Sequence, residues 1–254
     1  MFRCILVIAV TTALTSPVFA QTLPFAFPAD RDSRQVSVVV DEGITNTADL
    51  PNRALREARL AMVAKKVVSD DDLRGLAEAK DGLAAAKLVD VLVGRGIPEN
   101  ASDIAYFGAI AVGTGRIWPL DEMVEAMWYL DPDTEPKGRK AQMIKVLYAH
   151  AWAGNSLALQ AVIDFNGDGK LFGKLSEKTR QKILLQAEKN ADGRAELRLA
   201  LAILQTNDQS DADLARARDY LTRAALSPEL PVQVTAANIL ALLDEKQKET
   251  LAGN

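Results

Sequence analysis

The sequence predicts an all-α protein, and three observations support this prediction. Beyond Pro51 the chain consists of alanine- and leucine-rich segments in which apolar residues recur at spacings of three and four, as they do along one face of a helix. Gly, Pro, Asn and Asp separate these segments, and these residue types terminate helices or form turns. No segment after residue 50 has the pattern of a credible strand.

The first twenty residues predict a signal peptide. Arg3 supplies a positive charge, Ile5–Leu14 is an apolar run, and the small residues of a cleavage site follow within Ser16–Ala20, the order that secretory signals share. The apolar run is shorter than the roughly twenty residues that span a bilayer. We therefore expect cleavage after Ala20 and a periplasmic or secreted mature protein without a membrane span.

Cysteine content and charge further restrict how the protein can be stabilised and what kind of partner it can bind. Cys4, the only cysteine of the sequence, lies inside the predicted signal, so the mature chain must fold without disulfides in an oxidising compartment. The formal net charge of −4 at pH 7 becomes more negative when Arg3 is removed. Acids and bases are interspersed rather than collected on a basic face, which argues against a nucleic-acid partner.

Residues 21–50 form a segment of different character. Pro24 and Pro28 precede the β-branched run Val36–Val40, which the turn-forming residues Asp41–Gly43 follow. We expect an extended leader that either adds one strand or packs along the first helices. An isolated strand without a partner is not stable by itself.

Residues 51–254 are predicted to form the α-solenoid domain, which contains all of the predicted helices, joined by short connections. Several have start signals suited to the helix dipole, such as Ser69 before Asp70–Asp72, and Ser210 before Asp211. The predicted ranges are 52–67, 70–81, 83–94, 101–113, 120–130, 138–153, 155–166, 176–190, 193–206, 211–225 and 231–246.

The spacing of these helices indicates a repeat. Gly82, Gly154 and Gly193 each precede an alanine-rich helix, and their separations are close to two repeats and one repeat of about 36 to 39 residues. A helix pair of this length cannot bury its apolar face alone, so neighbouring pairs must stack. The sequence thus predicts a right-handed α-solenoid of antiparallel helix pairs.

The units resemble Sel1-like repeats, which are related to tetratricopeptide repeats. The unit that begins at Gly193 carries the small and aromatic packing positions of that family. A second unit runs from Gly154 through Ala158 and Val162 to the glycine-rich turn Asn166–Gly169. In the first of these units the matching positions are Leu197, Ala202, Ala217, Tyr220, Ala224 and Ala225. The resemblance implies an exported adaptor that binds a protein or peptide partner on its concave face.

A catalytic role is not expected. Nucleophilic and acid–base mechanisms most often use Cys or His, and the mature chain has no Cys and one histidine, His150. That histidine stands among packing residues of a predicted helix, between Leu147 and Trp152, which favours a structural or surface role. An envelope hydrolase remains the least favoured alternative, because the sequence does not indicate a pocket with convergent polar groups.

One loop suggests a calcium site. Asp164, Asn166 and Asp168 stand at positions one, three and five of a pattern with Gly at six, the start of an EF-hand loop. Position twelve is Leu175 where that loop needs a bidentate Glu. The same residues also match the glycine-rich turn of the repeat family, so a Ca²⁺-responsive binding module is kept as an alternative function.

Aromatic residues suggest a partner site. Trp118 lies in a predicted loop beside Pro119, where an exposed aromatic side chain more often binds than packs. We predict that Trp118 contacts the partner. Tyr148 belongs to the same cluster of aromatic residues. Trp128, Tyr129 and Trp152 are expected to fill packing positions of the core.

Overall fold

A computed structural model of the protein describes residues 36–206 and 209–252. The predicted signal peptide, residues 1–20, and the leader up to residue 35 lie outside this range. The described residues form eleven α-helices and one short 3-10 helix, Thr47–Asp49, which confirms the all-α class. None of the described helices has the length and apolar character needed to cross a membrane.

The helices follow one another with short connections. Their bounds are α1 Arg53–Val63, α2 Asp70–Glu78, α3 Gly82–Val93, α4 Ile97–Gly113, α5 Leu120–Met127, α6 Lys137–Trp152, α7 Ser156–Phe165, α8 Glu177–Asn190, α9 Arg194–Leu204, α10 Asp211–Ala224 and α11 Leu230–Ala252.

Side-chain caps explain many of the helix starts. Ser69 accepts a hydrogen bond from the Asp72 amide at the start of α2, as the sequence predicts. At α10, Ser210 and Asp213 form a reciprocal capping box. Such caps satisfy amides that have no partner within the helix.

Three boundaries differ from the sequence prediction by four residues or more, and one of them is the end of α11, at Ala252 instead of residue 246. Helix α4 begins at Ile97 instead of residue 101, because Gly96 supplies the turn with φ 114° and Pro98 fits the first turn of a helix. Helix α1 ends at Val63 instead of residue 67, because Lys65 adopts a left-handed backbone with φ 58°.

The helices pack as a series. Substantial contacts join each helix to the next or to the next but one along the chain, as in α3 with α4, α4 with α6, and α7 with α9. One apolar core runs through the series from Leu50 to Ala236. Small residues bring the helices close: a Cβ added to Gly108 of α4 would lie 2.8 Å from the Cβ of Met123 in α5.

The residues before α1 differ from both sequence alternatives. The extended segment Val36–Asp41, called the strap below, crosses the turns that follow α4 and α6 instead of lying along the first helices. It forms a single antiparallel bridge, between Val39 and Thr114, and no regular strand. The chain then reaches the α2–α3 turn, where the Ile44 amide donates to the Lys80 carbonyl at 3.0 Å.

Candidate functional site

In the predicted calcium loop, Asp164 faces cations of the protein itself. Arg198 of α9 donates to Asp164 Oδ2, and it also donates to Gln160 Oε1 at 3.1 Å. The pKa of Asp164 is raised by burial, although the charges of Arg198 and Lys170 oppose this rise. The first ligand position of the loop is therefore engaged in an ion pair between α7 and α9.

The other two predicted ligands do not converge on Asp164. Asn166 accepts from the Tyr148 hydroxyl at 3.0 Å and donates to the Val162 carbonyl at 2.6 Å, whereas Asp168 is exposed. Within the described residues no group of three or more His, Cys, Asp or Glu side chains is placed to hold a metal ion. Calcium binding by Asp164 would require the carboxylate to exchange Arg198 for the ion.

A row of aromatic rings runs across the middle of the series. The ring centroids of Trp128 and Phe165 are 4.7 Å apart, and those of Phe165 and Phe172 are 5.7 Å apart. Phe172 contacts Tyr148 at 6.3 Å, which in turn meets Trp152 edge-on at 5.5 Å. This row joins the C-terminal ends of α5, α6 and α7.

Two aromatic residues predicted for the core are exposed instead. Trp128 is 53 % and Tyr129 is 55 % exposed, because α5 ends at Met127 and both residues lie at its open end. Trp152 is partly buried against the core. We call Trp128, Tyr148, Trp152 and Phe172 the aromatic surface; Phe165 is buried beneath it, and the exposed Tyr129 is the next residue after Trp128.

Trp118 lies at the other end of α5, in the connection from α4. Its side chain is 49 % exposed, as a residue available to a partner must be. Helix α5 has eight residues and is therefore roughly 12 Å long, so Trp118 is separated from the aromatic surface by the length of this helix.

The second notable region is where the strap lies on the helices. The amides of Val40 and Asp41 both donate to the Gly113 carbonyl, at 2.7 and 2.9 Å. Asn155, the N-cap residue of α7, donates from Nδ2 to the Val36 carbonyl at 3.2 Å. The Ser37 hydroxyl donates to the Gly115 carbonyl at 3.1 Å.

His150 contributes a further hydrogen bond to the strap. Its side chain is fully buried, and its Nε2 accepts from the Val38 amide at 3.2 Å. Because an amide can only donate, Nε2 is unprotonated, and the ring proton is on Nδ1, 2.9 Å from the Val146 carbonyl. Burial lowers the pKa of His150. Both ring nitrogens are thus occupied by backbone groups.

Asp41 provides the only buried charge of the strap. Gln142 donates to Asp41 Oδ2 at 2.7 Å, Lys145 donates to Oδ1, and the Lys80 ammonium lies 3.7 Å from Oδ1. Burial opposes ionisation of this carboxyl, but the hydrogen bonds from Lys145 and Gln142 and the nearby charges outweigh it, so the pKa of Asp41 is lowered. Neither Asp41 nor its partners were identified from sequence, because they lie far apart along the chain.

Comparison with protein-family models, with curated proteins and with solved structures finds no match for this chain.

Proposed function

We propose that this chain is an exported, Sel1-like right-handed α-solenoid that binds a protein or peptide partner as a scaffold or adaptor. The order of helix contacts supports the solenoid, since each described helix packs on the next helix along the chain or on the next but one, as stacked repeats do. The predicted signal peptide supports export to the periplasm or beyond.

The aromatic surface is the observation that supports binding most strongly. Aromatic residues make up only 6 % of the sequence, yet four of them form this one surface, and Tyr129 follows Trp128 in the chain. Tyr and Trp are enriched at the centres of protein interfaces, because each buries a large area while few torsions are fixed. Exposure of about half of Trp128 and Tyr129 leaves that area available to a partner.

The chemistry of the surface fits an apolar segment with a polar edge. Lys182 of α8 lies 5.5 Å from the ring centroid of Trp152, and the Tyr148 hydroxyl is fixed by Asn166. Rings that are held in place by such contacts lose little conformational entropy when a partner binds. A helix or an extended peptide that inserts apolar side chains between these rings is the expected ligand.

The test is a comparative affinity capture from the envelope fraction of the host. Wild-type protein, the Trp128→Ala/Tyr129→Ala variant and a control variant are immobilised, and retained proteins are identified by mass spectrometry. The control is Leu226→Ala, which removes an apolar side chain that is 81 % exposed in the α10–α11 connection.

The proposal expects one protein that wild type and the Leu226→Ala control retain and that Trp128→Ala/Tyr129→Ala loses. Equal retention by all three proteins would place the partner elsewhere, and retention of no specific protein by wild type would contradict the adaptor role. Circular dichroism of each variant verifies that the helices are intact.

A further inference from the structure

The strap is bound in a way that depends little on its own apolar side chains. Val39 is 69 % exposed, and none of the residues 36–40 is buried. Instead, backbone amides of the strap donate hydrogen bonds to the helices and their turns, called the array below, and the Val36 carbonyl accepts one from Asn155. Recognition through the backbone is the mode in which proteins bind extended peptides of differing sequence.

Two glycines of the array, Gly113 and Gly115, leave the space in which the strap backbone lies. A Cβ added to Gly115, where φ is 91°, would lie 3.2 Å from Val39 Cγ2. A Cβ added to Gly113 would lie 2.9 Å from Val146 Cγ2 and 3.3 Å from Asp41 Oδ2. Side chains at either glycine would therefore hold an extended chain away from the Gly113 carbonyl that binds it.

One residue of the strap, Asp41, is recognised through its side chain. Asp41 is only 8 % exposed, and Gln142, Lys145 and Lys80 surround its carboxylate. Hydrogen bonds to a charged group contribute more than neutral ones, about 1.5 to 3 kcal/mol each. The array thus combines contacts to any extended backbone with a pocket that selects a carboxylate.

We propose that this edge of the array is a binding site for an extended acidic peptide of a partner protein, and that the strap is its intramolecular occupant. The strap site is defined by Lys80, Gly113, Gln142, Lys145, His150 and Asn155. This inference goes beyond the proposed function, because the site is separate from the aromatic surface and has a ligand of stated chemistry: an extended segment with an Asp at the position of Asp41.

Displacement of the strap leaves the helices intact. The strap precedes the helices, and the residues that follow it keep the chain on them: the Ile44 amide donates to the Lys80 carbonyl at 3.0 Å, and Leu50 is 1 % exposed. Release of Val36–Asp41 exposes little apolar surface, so its cost in free energy is mainly that of the hydrogen bonds that are broken. An occupant on the same chain acts at an effective concentration in the millimolar range, so a free peptide competes poorly until the strap is weakened.

The experiment measures binding of a fluorescein-labelled synthetic peptide with the sequence of residues 34–46 to the full chain by fluorescence anisotropy. The test variant, Val38→Pro/Val40→Pro, removes two strap amides that donate to His150 and Gly113, because proline has no N–H. The control, Val39→Pro, adds a proline to the same segment without removing any of these hydrogen bonds.

The expected result is that Val38→Pro/Val40→Pro binds the peptide at least about tenfold more tightly than wild type, and that Val39→Pro resembles wild type. A second peptide, with Asn in place of the Asp, is expected to bind the double variant about tenfold more weakly or worse. Partner capture through the aromatic surface plays no part in this measurement, so its outcome is independent of the proposed function.

Three results would overturn the proposal. Equal affinity of wild type and Val38→Pro/Val40→Pro for the peptide would show that the strap does not occlude a site. Unfolding of the array in the double variant, seen by circular dichroism, would make the strap a structural part of the fold. A wild-type dimer in light scattering that excess peptide converts to monomer would assign the site to a second copy of the chain.

Discussion

Acidification is predicted to weaken the packing of the strap through His150. In the neutral form, Nε2 accepts the Val38 amide proton and Nδ1 donates to the Val146 carbonyl. A proton on Nε2 would point at the Val38 N–H and replace this hydrogen bond with a repulsion between two donors. The folded state therefore favours the neutral ring.

The sign of the effect follows from the direction of the pKa shift. Burial lowers the pKa of folded His150 below its usual value of 6.5, so the unfolded chain binds more protons than the folded one as the pH falls below 6.5. The contribution of His150 to stability is complete above this pH and is lost as the pH decreases towards the folded pKa. The loss is at most about 1.4 kcal/mol per pH unit.

Other groups have shifted pKa values, and their effects on stability must be separated from that of His150. Asp90, Asp164 and Glu196 have pKa values raised by burial, so their contributions increase as the pH falls, opposite to that of His150. Asp41 has a lowered pKa, and its contribution is lost only in stronger acid. The variant His150→Gln retains these groups and removes the titrating ring.

The assay is urea unfolding of wild type and His150→Gln at pH 7.5 and 5.5. We expect wild type to lose about 1 kcal/mol more than the variant over this interval, which corresponds to roughly 2 to 4 °C in Tm for a protein of this size. Equal changes in the two proteins would refute the reasoning, because they would show that His150 does not titrate differently in the folded state.

Three further predictions concern packing and charge. Gly82→Ala is expected to destabilise the protein by about 2 kcal/mol, because the new Cβ would lie 1.8 Å from Thr114 Oγ1. Gly138→Ala in α6, whose Cβ would meet nothing within 4 Å, is expected to stabilise it by up to about 1 kcal/mol. Thermal unfolding distinguishes the two variants, and equal shifts in Tm would contradict the packing argument. Arg198→Met is expected to cost about 3 kcal/mol in urea unfolding by leaving Asp164 unpaired, and adding Asp164→Asn should recover most of this loss; no recovery would show that the cost is not electrostatic. Added Ca²⁺ is expected to leave Tm unchanged because Arg198 occupies the Asp164 carboxylate, and a rise that Asp164→Asn abolishes would contradict this.

Local signals predict the helices but not all of their ends. Apolar spacing and caps such as Ser69 and Ser210 act within a few residues, so the all-α class and most helix positions follow from the sequence. The sequence predicts the start of α4 four residues late, because Gly96 and Pro98 indicate a loop as readily as a helix start.

The surfaces are less predictable because they depend on distant contacts. The apolar spacing of the sequence shows that Trp128 lies on one side of a helix but not whether a neighbour covers it. Among the described residues, Trp128 remains 53 % exposed at the end of α5. His150 and Val38 are 112 residues apart in sequence, and no local pattern connects them. The strap site therefore emerges only when the fold brings three turns of the array together.

Amide hydrogen exchange, followed by NMR at pH 7.5, tests most directly whether the array holds an extended segment by its backbone. The structure predicts slow exchange for the amides of Val38, Val40 and Asp41, which donate to the array, and fast exchange for Val39 between them. Fast exchange at all four amides, with protected helices, would contradict the account.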